Sequence, residues 1–239
     1  MLIDLHAHTS GISRCCRQAA PDILKAAKDT GLDGIVLTNH YYKAYITDGD
    51  AAAFAKRYAE EFYYTEAVGR DMSLTVLFGI EVTMEKYGGV HMLVYGVTPE
   101  FVTEHPDLYD MTLPQLHGAV SAVGGVLVQA HPLRREKNVL LDTAYLEGVE
   151  VNSHPIYGYS HLKEMWEVAE RDGLILTSGG DYHADTPYRP SCGTYLPDGT
   201  DTLGLARFLK EAEKIRLRVH EPGEADAFEV EFSRNKKEK

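Results

Sequence analysis

Six of the eleven histidines, His6, His8, His40, His91, His131 and His183, fall at the downstream ends of short apolar runs that read as β-strands. Glu81 and Asp181 occupy equivalent places. A chance scatter would put histidines on helix faces and in loops as often. Imidazoles and carboxylates gathered at one end of several strands predict a cluster of divalent metals over the mouth of a barrel. His6 and His8 are two residues apart, and strand side chains alternate, so both point the same way and can chelate one ion. Asp181 and His183 repeat that spacing with a carboxylate. Glu81 follows the run Leu74–Ile80, where a carboxylate can bridge two cations, and His131 precedes Pro132, which halts its strand. Any one of these histidines is equally well explained as a hydrogen-bonded core residue; eight ligand-type residues in strand-end register are not.

The elements that must position them alternate along the chain. Seven apolar runs read as strands, roughly 2–5, 34–38, 74–80, 90–96, 126–130, 148–152 and 174–178. Most are continuous, as expected of parallel strands covered on both faces. Helices separate many of them. Pro21 opens one that ends at Gly31; Phe54, Tyr58 and Phe62 mark a face of the next. Thr112 to Gln115 resembles a capping box ahead of Leu116 and Val120. Leu162, Met165, Trp166 and Ala169 line another helix closed by Gly173, and Leu205 and Leu209 mark the last. Phe228, Val230 and Phe232 alternate with glutamates, which predicts a half-exposed terminal strand, and 234–239 reads as a frayed tail. Residues 1–239 therefore read as a single domain of α/β class.

Composition narrows the function classes. The chain has 239 residues, 44% of them hydrophobic, and a formal charge of −12, so broad binding to a phosphate backbone is not expected. A small anionic substrate remains compatible, because metals and a few arginines dominate locally. Three cysteines, Cys15, Cys16 and Cys192, form no disulfide framework. No apolar run is long enough for a bilayer, and Leu2-Ile3-Asp4 enters a strand without a signal-like segment, so the expectation is a cytoplasmic protein with no membrane association. Oligomeric state is not readable.

Taken together, Asp4-Leu5-His6-Ala7-His8-Thr9, Leu37-Thr38-Asn39-His40, Gly79-Ile80-Glu81, His91-Met92-Leu93, Ala130-His131-Pro132 and Ser178-Gly179-Gly180-Asp181-Tyr182-His183-Ala184 resemble the PHP (polymerase and histidinol phosphatase) family. The resemblance runs from residue 4 to about 184 in the family's order. It implies a distorted seven-stranded (β/α)7 barrel and two or three divalent ions of zinc, manganese or iron, used for phosphoester hydrolysis. It assigns His6, His8, Glu81 and Asp181 to a first metal, Glu81, His91 and His131 to a second, and His40 and His183 to a third. Two positions depart from the family's pattern. Arg14 stands where a further ligand to the third ion is usual, and Asn39 stands where an aspartate precedes the histidine of the second strand. Both departures weaken the third site. Cys15 or Cys16 could supply the missing ligand as thiolate, or the two could simply be reduced thiols in a loop. Alternatively, the Arg14 guanidinium could take the cation's place and hold phosphate.

The expected activity is that of a metal-dependent phosphoesterase, specifically a phosphomonoesterase acting on a small phosphorylated metabolite or nucleotide through metal-activated water. Glu81, Asp181 and His183 are the expected catalytic residues, with Asp181 orienting the nucleophile and His183 among the candidates for protonating the leaving group. Arg14, Arg134, Arg135 and Arg189 are the expected phosphate contacts, because a planar guanidinium binds two oxygens at once. Glu150, Asn152 and His154 share one strand face and could support the ligands or touch substrate, with a structural role the first reading. Two rivals stand beside this reading. One is an amidohydrolase-like metal hydrolase, although no lysine ends a strand near the set to serve as a carboxylated bridge. The other is a non-catalytic module that keeps metals for stability.

Overall fold

The computed structural model describes residues 1–183 and 189–235, the side chain of Asn152 excepted. Residues 184–188, which include Ala184, and 236–239 of the expected tail lie outside the described residues. Among the described residues eleven strands form one mixed sheet: β1 (Leu2–Ala7), β2 (Gly34–Leu37), β3 (His40–Tyr41), β4 (Thr75–Met84), β5 (Val90–Tyr95), β6 (Val126–Gln129), β7 (Gly148–Asn152), β8 (Ile175–Gly179), β9 (Gly193–Tyr195), β10 (Lys214–Val219) and β11 (Phe228–Ser233). Six α-helices accompany them: α1 (Ala20–Asp29), α2 (Ala51–Asp71), α3 (Glu100–Glu104), α4 (Leu113–Ala122), α5 (Leu162–Asp172) and α6 (Thr202–Glu211).

All seven strand runs expected from the sequence are present, but the seven-stranded count is corrected to eleven. The order β11-β10-β9-β1-β2-β4-β5-β6-β7-β8 carries a barrel-like core extended at one edge by β9, β10 and β11, while β3 pairs with β4. The three-residue β9 and two-residue β3 are too short to carry a periodic signal, and β10 (Lys214-Ile215-Arg216-Leu217-Arg218-Val219) alternates charge and apolar residues next to the end of α6. The sheet nearly closes. Ala7 bridges Tyr182 in parallel, the amide of Asp181 donates to the carbonyl of His6 at 2.8 Å, and Ser178 N donates to Thr194 Oγ1 of β9. Gly179 is required at this seam by close approach: a Cβ there would stand 2.6 Å from the Cβ of His6.

The strands are not all parallel. β1, β2 and β4 run together, as do β6, β7 and β8, whereas β5 pairs antiparallel with both β4 and β6. This reversal changes how His91 reaches the mouth. It is the second residue of β5, near the strand's start rather than its end, and the hairpin register sets it opposite Thr83. Glu81 is likewise interior to a ten-residue β4 that continues to Met84, not at its end. It lies beyond the segment that pairs with β2, level with His40 of β3.

The amphipathic helices cover the sheet as their patterns predict. Phe54, Tyr58 and Phe62 of α2 are buried, and Tyr58 and Phe62 meet Phe78 of β4 edge-on at 6.0 and 5.1 Å between ring centroids. The Tyr58 hydroxyl then donates to the carbonyl of Asn39 at 2.5 Å, tying this helix to the barrel mouth. Inside the barrel, the fully buried Tyr95 of β5 donates its hydroxyl to Leu5 O of β1 at 2.9 Å. Arg234, expected at the start of a frayed tail, is instead anchored: its amide donates to Glu213 O at 2.7 Å and its Nε to Gly173 O at 2.9 Å. Among the described residues no helix is long and apolar enough to cross a membrane.

Candidate metal centre

His6, His8, His40, His91, His131 and His183 converge with Glu81 and Asp181 on one mouth of the barrel. Glu81 is fully buried at its centre. Its Oε1 lies 2.8 Å from His91 Nδ1 and 3.2 Å from both His6 Nε2 and His131 Nε2. Its Oε2 lies 2.6 Å from His40 Nδ1 and 3.4 Å from His8 Nε2. One carboxylate thus faces five imidazoles. Asp181 stands opposite, its Oδ1 3.0 Å from His8 Nε2, 3.4 Å from His6 Nε2 and 3.2 Å from His183 Nδ1.

Hydrogen bonds behind the rings decide which nitrogens face the mouth. The Glu150 carboxylate lies 3.1 Å from His6 Nδ1 through both oxygens, so Nδ1 carries the proton and His6 Nε2 presents a lone pair. That Nε2 is buried with no hydrogen-bond partner. Ser13 donates its hydroxyl to Asn39 Oδ1, so it accepts from His8 Nδ1 at 3.1 Å and leaves His8 Nε2 unprotonated. His183 Nδ1 donates to the carbonyl of Asp181 at 2.8 Å, which frees its Nε2 in the same way. His40 Nδ1 and Glu81 Oε2 are also buried without a hydrogen bond despite their closeness. Imidazole nitrogens and carboxylate oxygens are therefore crowded together, some of them buried without a hydrogen bond. Such an arrangement is unfavourable in a low-dielectric interior unless a cation fills it.

In the metal-free protein the buried carboxylates instead hold protons on some of these imidazoles, His6 and His40 among them. Burial alone would raise the Glu81 carboxyl, but the charges of His40, His91 and His6 outweigh it and hold it well below the usual carboxylate range. Asp181 is likewise held down against burial, by His6, Arg134 and His183. His40 is drawn up to about 10, burial being outweighed by Glu81 and Cys15. Burial lowers His131 to about 3, reinforced by Arg134. His8 is lowered too, by burial and by His183. Adjacent imidazoles pushed in opposite directions are what a shared set of too few protons produces.

Three groups are tight enough for their ligand atoms to share an ion: His6, His8, Glu81 and Asp181; His40, Glu81 and His91; and His8, His40 and His183. The first is the set expected for the first metal. In the second, His40 joins Glu81 and His91 more closely than the expected His131, which still reaches Glu81 Oε1. The strand ends are bent to achieve this. His131 and Asp181 adopt φ of +32° and +49°, a region that costs about 1–3 kcal/mol for a residue with a Cβ. His131 N is held by Glu150 Oε2 at 3.1 Å, and Asp181 is held by its amide bond to His6 O and by the Tyr157 hydroxyl on its carbonyl at 2.8 Å.

The four arginines separate. Arg134 lies at the mouth, pairs with Asp181 Oδ2, and stacks its guanidinium 4.0 Å over the Tyr157 ring. Arg134 and Arg135 line a cavity of about 380 Å³ with Cys15, His91, Asn138 and His183. Arg14 turns away. It donates to Tyr45 O at 3.0 Å, lies 5.2 Å from the Tyr45 ring centroid, and does not line that cavity. Arg189 pairs with Asp29 of α1 at 3.1 Å, in a separate surface pocket. Asn39 is scaffolding: its Oδ1 accepts from Thr9 N and Ser13 Oγ, each at 2.8 Å. Cys15 lines the cavity with the Tyr45 hydroxyl 3.6 Å from its sulfur; burial would raise the thiol, but the nearby His183 and His40 bring it down to about 6. Cys16 is buried and directs its sulfur to His8 O.

Glu150, read first as structural, supports a ligand, holding His6 Nδ1 with both oxygens. Tyr157, which positions Arg134 and Asp181, carried no signal in the sequence.

Comparison with solved structures places the fold. Over 87% of this chain and 95% of the other, it matches a Bifidobacterium adolescentis protein provisionally assigned as a metal-dependent phosphoesterase, with TM-score 0.57 and 17% identity. The chain has the fold of PHP-like phosphoesterases. A two-domain Bacteroides vulgatus protein containing a predicted PHP-like metal-dependent phosphoesterase matches over 92% of this chain and 58% of its own length, with TM-score 0.57 and 17% identity. An amidohydrolase of Chromobacterium violaceum, solved with sulfate and without metal, matches at TM-score 0.51 and 18% identity over 76% of this chain and 87% of its own. These similarities of PHP-like fold rest on shape, since neither family models nor curated proteins match the sequence.

Proposed function

We propose that this chain is a divalent-metal-dependent phosphoesterase of the PHP type, and specifically a phosphomonoesterase acting on a small phosphorylated metabolite or nucleotide. The observation that carries the reading is Glu81, a buried carboxylate within 3.4 Å of five imidazoles, with His6 Nε2, His40 Nδ1 and its own Oε2 left without a hydrogen bond. His6, His8, Glu81 and Asp181 would hold one cation, and Glu81 with His91, His40 and His131 a second. Zinc, manganese and iron all suit these donors. Divalent cations bound there lower the pKa of a water and neutralise charge on phosphoryl oxygens.

The protein's own groups do the rest. Glu150 and Ser13 fix the tautomers of His6 and His8. Arg134, flattened against Tyr157, offers N–H donors to a phosphate oxygen at the edge of the cavity, and Arg135 lies on the same rim. Asp181, held at an enforced φ, is oriented across the mouth and can position the attacking water. His183, its Nδ1 committed to Asp181 O, lines the cavity and is placed to serve a leaving oxygen.

The amidohydrolase reading has a structural neighbour in its favour. Against it, the carboxylate shared by two of the groups is that of a glutamate, Glu81. A panel of phosphorylated metabolites and nucleotides, run on zinc, manganese and iron forms beside an amide panel, tests the choice. Phosphate release abolished by chelation is expected. Amide turnover without phosphate release would overturn the proposal.

A further inference from the structure

We propose that Arg135 and Lys137 form an outer anion subsite, so that the preferred substrate carries a second anionic group, phosphoryl or carboxylate, beyond its scissile phosphoryl. The inference rests on the phosphoesterase reading above and deepens it by naming the charge pattern of the substrate. Both side chains line the mouth cavity, on the loop that also carries Arg134. Arg134 is engaged at the inner wall by Asp181 and the Tyr157 ring. Arg135 and Lys137 are exposed and make no ion pair among the described residues. Many cations elsewhere on the surface are tied to carboxylates, Lys25 to Asp29, Lys43 to Asp110 and Lys214 to Glu231 among them. In a chain of net charge −12, two unneutralised cations on one rim attract anions to that rim.

The loop that presents them is braced. Leu133 N donates to Asn138 O at 2.7 Å and Asn138 N to Arg135 O at 2.8 Å, with Asn138 buried. The buried Gln129 at the end of β6 clamps the return limb: its Nε2 donates to Val139 O at 2.7 Å and its Oε1 accepts from Leu141 N at 2.9 Å. The backbone under the two cations therefore needs little further ordering when an anion arrives. Glu136, between them, does not line the cavity. The remaining wall also favours a charged substrate. No aliphatic side chain lines it among the described residues, and its tyrosine is committed to Arg134. The cavity, about 380 Å³, falls in the range of roughly 300–1,000 Å³ that small-molecule sites occupy, so more of the substrate than its phosphoryl enters. An apolar leaving group would strip water from those polar walls without replacing its hydrogen bonds. A leaving group that ends in an oxyanion meets a guanidinium and an ammonium instead.

The test uses the metal-loaded full chain and phosphonates whose P–C bonds are not hydrolysed: propylphosphonate, 3-phosphonopropionate and propane-1,3-bisphosphonate. Calorimetric titration then reads binding without turnover. A second anionic group should tighten binding at least about tenfold over propylphosphonate, as expected for a charge-assisted hydrogen bond. The gain should shrink as salt is raised, since the rim is exposed. It should vanish in the double variant Arg135→Ala/Lys137→Ala and persist in Lys163→Ala, which removes an exposed cation of α5. A gain confined to the carboxylate or to the bisphosphonate still supports the subsite and identifies its anion. Equal affinity for all three ligands in the wild type overturns the proposal without reliance on any variant, as does a gain that survives the double variant. Phosphate release from phosphomonoesters with equal phosphonate affinities overturns this inference alone. Discrimination among the phosphonates without phosphoester turnover supports the subsite and overturns the phosphoesterase reading.

Discussion

Glu81→Gln is the sharpest perturbation of the centre, because it removes one charge from five imidazoles without changing side-chain volume. The wild-type carboxylate belongs to two ligand groups at once. Its loss leaves His6, His8 and Asp181 at the first position but only His40 and His91, with His131 nearby, at the second. The second ion should be lost outright and the first weakened. If cations bind the native protein at about 1,000 times their dissociation constant, they stabilise it by about 4 kcal/mol. At about 2–4 °C per kcal/mol for a chain of this size, metal should raise Tm by about 8–16 °C in the wild type. In Glu81→Gln most of that gain should vanish, and turnover should fall by at least about 10³-fold, the equivalent of about 4 kcal/mol of transition-state stabilisation. Calorimetry with and without chelator, with metal content measured by mass spectrometry, reads both quantities. A variant with wild-type metal equivalents and an undiminished chelator-sensitive Tm would refute the bridging role of Glu81.

Three further outcomes are expected. Glu150→Gln, which weakens the acceptor behind His6 Nδ1, should lower metal affinity by about 10–100-fold while leaving the fold intact; unchanged affinity by competition titration would contradict the tautomer argument. Burial raises the Asp4 carboxyl to about 7 from its ordinary 3.8, so its stabilising contribution is complete below 3.8 and is lost as pH rises through 7. Relative to Asp4→Asn, which keeps an oxygen for the amides of His6 and Gly180, the wild type should lose about 2–3 kcal/mol between about pH 5 and about pH 9, and a flat difference in urea unfolding would exclude this. Arg134→Ala should raise KM by about 10–100-fold, as expected for losing a charge-assisted hydrogen bond, with metal content unchanged, whereas Arg14→Ala and Arg189→Ala should leave KM alone; equal effects from all three would show that the rim does not select phosphate.

The sequence by itself determined the ligand types, the strand runs and the helix faces, because these depend on local periodicity. His6 and His8 must share a face if β1 is extended, and Phe54, Tyr58 and Phe62 must share one if α2 is helical. It also announced that eight residues belong together, since their common register at strand ends has no local cause. What it could not determine is how each residue reaches the others. His91 arrives because β5 runs backwards, and strand direction is set by pairing across the sheet, which a short apolar run does not encode. β3 and β9 exist only because β4 and β1 offer edges to pair with. The arginines were indistinguishable in the sequence, since a guanidinium goes wherever a partner waits. Tyr157 and Asp181 capture Arg134, Tyr45 captures Arg14 and Asp29 captures Arg189. The choice between Cys15 and Cys16 was equally a tertiary matter. Adjacent residues leave the backbone in different directions, and only the packed loop sets Cys15 in the lining of the mouth cavity beside Tyr45 and turns the Cys16 sulfur toward the carbonyl of His8.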